Sequence, residues 1–167
     1  MNDIIDIEKD ESEINQLSPL TWAYIGDCIF ELYVRTKLIN ETRLKPHELH
    51  IKAIKYVKAK SQAEMLNNIY EELNEEEKDI VRRGRNTQNH HLPKNSNVQE
   101  YMYSTAFEAL LGYLYLCKQN NRLKEIIEKS IDSLENNNWK KYNIKKKSKK
   151  TWFFKTNVVK YRYWKNL

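Results

Sequence analysis

Two stretches decide how this chain reads: Leu20-Thr21-Trp22-Ala23-Tyr24-Ile25-Gly26-Asp27-Cys28-Ile29-Phe30-Glu31 and Tyr103-Ser104-Thr105-Ala106-Phe107-Glu108-Ala109-Leu110-Leu111-Gly112-Tyr113. Both are apolar at helical spacing, and each carries a carboxylate within its apolar pattern, Asp27 in the first and Glu108 in the second. An ionised carboxylate on a buried helix face costs several kcal/mol unless a cation or hydrogen-bond donors meet it. Two such acids on separate helices can converge on one hard metal ion, an arrangement suited to metal-assisted hydrolysis. Pattern alone leaves a plainer alternative open: either acid can be hydrogen-bonded structure or face water.

Working outward, the rest of the body also has helical periodicity, and no strand pattern interrupts it. Ser18-Pro19 reads as an N-cap and first helical residue, and the helix it opens should run to about Ile39. Apolar residues on several sides mark that helix as central and buried. Pro46 opens a second helical region with Leu49, Ala53, Tyr56 and Val57 on one face. Ala63, Leu66 and Tyr70 continue it as a further turn or another helix. Asn74 with Glu77 makes a capping box, and Gly84 fits the position just past a helix end. Residues 84–97 are polar and read as a loop. Helices from about Val98 to Lys118, and from Asn120 or Asn121 to near Glu135, complete an all-α body. With three Gly and three Pro in 167 residues, a turn-rich β fold is disfavoured.

The organisation expected is an acidic N-terminal segment over 1–14, a catalytic-size domain over 15–137 and a basic aromatic extension over 138–167. Residues 139–167 hold ten Lys, one Arg and no acid, so this tail carries +11. The net charge of +6 therefore leaves −5 on the preceding 138 residues. The high pI describes the tail and says little about the body. No apolar run reaches the length of a membrane span, and the N-terminus lacks the apolar core of a signal peptide. Cys28 and Cys117 read as small buried hydrophobes. His47 and His50, like His90 and His91, lack partners at zinc-site spacing.

The stretch Tyr24-Ile25-Gly26-Asp27 with Glu31, and the stretch Thr105-Ala106-Phe107-Glu108-Ala109-Leu110-Leu111-Gly112, resemble the two signature helices of the ribonuclease III catalytic domain. The match is closer to the branch without a double-stranded-RNA-binding domain, Mini-ribonuclease III. Lys60-Ser61-Gln62-Ala63-Glu64, Arg83-Gly84-Arg85-Asn86 and Pro93-Lys94-Asn95 agree in order and approximate spacing, so the resemblance covers about residues 17 to 134. The chain departs from the larger enzymes at three positions. Ala23 and Leu20 stand where those carry Glu before the signature Asp, and Thr105 stands where they carry Asp.

The resemblance implies an all-α ribonuclease III endonuclease-domain fold and an endoribonuclease that cleaves double-stranded RNA with Mg²⁺. Asp27 and Glu108 are the catalytic and metal-holding pair it implies, with Glu31, one turn on from Asp27, either beside the metal or in an ion pair. The loss of three carboxylates puts a fully occupied two-metal site in doubt. Arg82, Arg83, Arg85 and Asn86 are the RNA-contact candidates; Lys60, Gln62, His90 and His91 are weaker ones. A homodimer is implied, with Trp22, Ile25 and Ile29 near its contact. The implied task is maturation of large-subunit (23S) ribosomal RNA in a bacterial cytoplasm. The rival reading is a catalytically silent RNA-binding or ribosome-assembly protein on the same fold. The tail stands outside the resemblance: its Lys and aromatic residues suit RNA, with contact to a ribosomal protein as the alternative.

Overall fold

From Ser104 to Leu114 every residue except Glu108 is buried, so the helix that carries them is enclosed on nearly all sides. The computed structural model describes residues 7–87 and 97–136. The helices are α1 (Glu11–Gln16), α2 (Pro19–Glu41), α3 (Pro46–Val57), α4 (Ala59–Ile69), α5 (Glu75–Asn86), α6 (Val98–Leu116) and α7 (120–136), with one 3₁₀ turn, Tyr70–Glu72. No strand occurs among the described residues. The description below concerns the unit that ends at Ser133.

The central helix is α6, with α2, α4 and α5 packed around it. This corrects the expectation that α2 is the buried one. Trp22, Phe30, Val34 and Leu38 of α2 face the core, but Tyr24, Leu32 and Ile39 stand out on its other side. Edge-to-face rings lock α2 to α6: Trp22 on Tyr113 and Phe30 on Phe107, each pair with centroids 5.3 Å apart.

Local chemistry sets the helix ends. The Ser18 hydroxyl accepts from the Thr21 N–H (3.1 Å) ahead of Pro19, and Asn74 and Glu77 form the reciprocal capping box. One helix was not expected from the sequence. In the segment read only as acidic, Asp10 and Glu13 cap α1, and Ile14 is buried with its carbonyl accepting from Trp22 Nε1 (3.0 Å). Gly84 differs from its expected role as well. It lies inside α5, and an added Cβ there would sit 2.9 Å from Ala106 Cα, so the glycine serves a close helix approach and no stop.

Candidate nuclease site

The site begins with two glycines. A Cβ on Gly26 would lie 1.9 Å from the Glu108 carbonyl oxygen, and one on Gly112 would lie 1.9 Å from the Trp22 carbonyl oxygen. Thus α2 and α6 cross backbone against backbone, each donating one glycine to the crossing. Asp27 follows Gly26 directly, and Gly26 abuts Glu108, so the crossing is what brings the two acids together.

Their environments differ. Asp27 is exposed, which corrects the expectation of a buried acid, although partial desolvation and then the charge of Glu31 raise its pKa. Glu108 is partly open to solvent yet enclosed by protein on most sides. Burial, followed by the charge of Asp27, raises its pKa to about 7, while the Gln62 amide acts in the opposite direction. No Lys or Arg among the described residues draws either carboxylate down. Two interacting acids without a basic partner fit a bound cation. They are also few enough to suit Mg²⁺, which binds through one or two carboxylates and keeps waters or substrate phosphates in its other positions. Among the described residues, no three His, Cys, Asp or Glu side chains converge, and Ala23 and Thr105 are buried where further acids would have been needed.

Glu31 is engaged elsewhere: its carboxylate accepts from Arg35 at 2.9 Å in a surface ion pair. The structure separates the basic cluster into two faces. Arg83 stacks over the Trp22 ring (4.3 Å to the centroid) and donates to the Asn15 carbonyl (3.0 Å), so it braces α1, α2 and α5 against one another. On the other face, Arg82 and Arg85 line an open groove with Tyr70, Glu75, Lys78 and Asp79. Arg82 pairs with Asp79, while Arg85 lies over the Tyr103 ring and donates to Asn86 (3.3 Å). Lys60 is exposed at the start of α4. Gln62 is 1% exposed, which removes it from any RNA-facing surface and places it against Glu108 instead. Only its position on the inner face of α4 could have signalled this. His90 and His91 lie outside the described residues. Trp22 is fully buried in the core, and Cys28 is exposed, contrary to the buried role expected for it.

The fold is an all-α domain with a close crossing of α2 and α6, and the comparisons give its class. The family description "Ribonuclease III domain" matches residues 20–119, so the chain belongs to the ribonuclease III family and is an endoribonuclease of the type that acts on double-stranded RNA. Among its relatives are proteins named Mini-ribonuclease 3. The one from Thermoanaerobacter sp. (strain X514) is 53% identical over 71% of this chain and 84% of the relative. The one from Staphylococcus aureus is 44% identical over 72% of this chain and 92% of its own length. The crystal structure of a Fusobacterium nucleatum protein is similar at a TM-score of 0.65 and 32% identity, covering 72% of this chain and 96% of that one.

Proposed function

We propose that this endoribonuclease cleaves duplex RNA with Mg²⁺ held by Asp27 and Glu108, as a homodimer, in the maturation of large-subunit ribosomal RNA in the bacterial cytoplasm. The observation that carries the metal reading is the Asp27–Glu108 pair itself, two acids brought together at a glycine crossing with no basic side chain among the described residues to offset them. When bound, the ion supplies Lewis-acid polarisation of the phosphate and lowers the pKa of water to make the nucleophile.

The protein's own residues do the positioning. Close backbone contact between α2 and α6 sets the two residues side by side, and the exposure of Asp27 leaves room for a phosphodiester. Arg82 and Arg85, on one face of α5, are the guanidiniums free to turn from their present partners to phosphates. The dimer reading draws on α2, where Tyr24, Cys28 and Leu32 stand one turn apart on an exposed apolar stripe, Tyr24 at 78% exposure. Two identical sites related by a two-fold axis suit the approximate two-fold symmetry of an RNA duplex. The test is cleavage of a short duplex RNA with Mg²⁺ and again in excess chelator. Cuts on both strands, with 5′-phosphate ends and only when Mg²⁺ is present, are expected. Undiminished cleavage in chelator would reject the metal reading.

A further inference from the structure

Gln62 presents an unusual combination. Its side chain is 1% exposed, and among the described residues its Nε2 is the buried side-chain atom left without a hydrogen bond. Buried amides are normally satisfied, because an orphan donor forfeits its hydration and gains nothing in return. The α4 neighbours of Gln62 on the same buried face, Ala63, Met65, Leu66 and Ile69, are apolar, so a Leu or Met would pack there without this penalty. The group the amide does approach is Glu108. It stands on α6, the helix against which α4 packs, and the Gln62 amide neighbours it without completing a hydrogen bond. Turning the amide over would set Oε1 against a carboxylate, which is repulsive, so Nε2 is the atom that belongs on this side.

We propose that Gln62 is a positioning residue of the nuclease site, whose buried amide donates to one Glu108 oxygen and so fixes the plane in which the other oxygen is offered beside Asp27. The donor is already buried and has no other hydrogen-bond partner to give up. Residues that orient a metal-holding group from behind typically change metal affinity or activity by 10- to 100-fold when removed. Gln62 touches neither the substrate nor the reacting atoms in this account, and its effect passes through Glu108.

The proposal rests on the reading of Asp27 and Glu108 as a cation site, and the experiment separates the two. Mn²⁺ binding to the full chain without RNA is measured by electron paramagnetic resonance for the wild type, Gln62→Met, Gln62→Leu and Asp27→Asn, with thermal melting and duplex cleavage alongside. Gln62→Met should melt at or above the wild-type temperature, bind Mn²⁺ about 10- to 100-fold more weakly, and lose kcat with little change in KM. Gln62→Leu covers the case in which Met fails to fold. Folded Gln62 variants with unchanged Mn²⁺ affinity and kcat overturn the proposal while Asp27→Asn still abolishes binding. Failure of both Gln62 variants to fold also overturns it, by assigning the residue to fold support. If Asp27→Asn binds Mn²⁺ like the wild type, the cation-site reading itself falls.

Discussion

At Gly112 the crossing of α2 and α6 leaves no room for even a methyl group, since an added Cβ would lie 1.9 Å from a backbone oxygen that cannot swing aside. Gly112→Ala must therefore push the helices apart. We expect a loss of about 3 kcal/mol or more in denaturant unfolding, because this overpacking is against backbone. Cleavage should fall further than stability explains, as Glu108 sits on the displaced helix. A variant with wild-type stability would show that the crossing is looser than described. At this scale the sequence was partly legible. Asp27 and Glu108 could be picked out because acids interrupt apolar helical patterns. The exposure of Asp27 could not, because periodicity does not reveal which side of a crossing opens to solvent. Arg83 and Gln62 were read as RNA contacts from their motifs, yet one stacks on Trp22 and the other is buried beside Glu108. Composition does not distinguish a cation aimed at phosphate from one aimed at an indole.

The elements were more legible than their surroundings. The caps at Ser18 and Asn74 are where the local chemistry required them, so α2 and α5 start at the positions those signals gave, and α6 starts at the expected Val98 with Asn97 as its cap. Gly84 misled because a glycine at a helix end and a glycine at a helix crossing look alike without knowledge of the neighbour. The link that ties α5 to α7 could not be read at all. Glu77 is 3% exposed and accepts from Arg122 at 2.7 and 2.9 Å across 45 residues of sequence. Burial alone would raise the Glu77 pKa, but the Arg122 guanidinium and the Asn74 backbone N–H outweigh it and leave the net shift downward. A depressed folded pKa gives stability that is present above the unfolded value near 4.5 and is lost as pH falls through the folded one. Arg122→Met should therefore cost about 3 kcal/mol at neutral pH by stranding a buried carboxylate. Its deficit relative to the wild type should shrink as the pH falls, first as the stranded Glu77 of the variant, no longer held down by Arg122, takes up a proton, and then as the wild-type carboxyl protonates below about 4.5. A deficit that does not change across that window, followed by thermal melting at each pH, would remove the pair from the pH dependence.

For the whole molecule, the division of charge matters more than its sum. The first 138 residues carry −5 and the last 29 carry +11, so the long-range attraction for RNA should reside in the tail. We predict that truncation after Asn138 weakens binding to duplex RNA and flattens its salt dependence. Each phosphate released lowers the log–log slope by roughly 0.7 to 0.9, so a tail that engages about five phosphates would change it by about four. Binding across a salt series checks this, and an unchanged slope would shift the contact to Arg82 and Arg85. Cleavage, by contrast, is expected to depend on the body alone. The most direct test of the account is therefore Asp27→Asn, assayed for cleavage and binding of the same duplex RNA. The account predicts a loss of cleavage of about 10²-fold or more with binding largely kept, since the change removes a metal-holding charge and no RNA contact. Near-normal cleavage by a folded Asp27→Asn protein would contradict it.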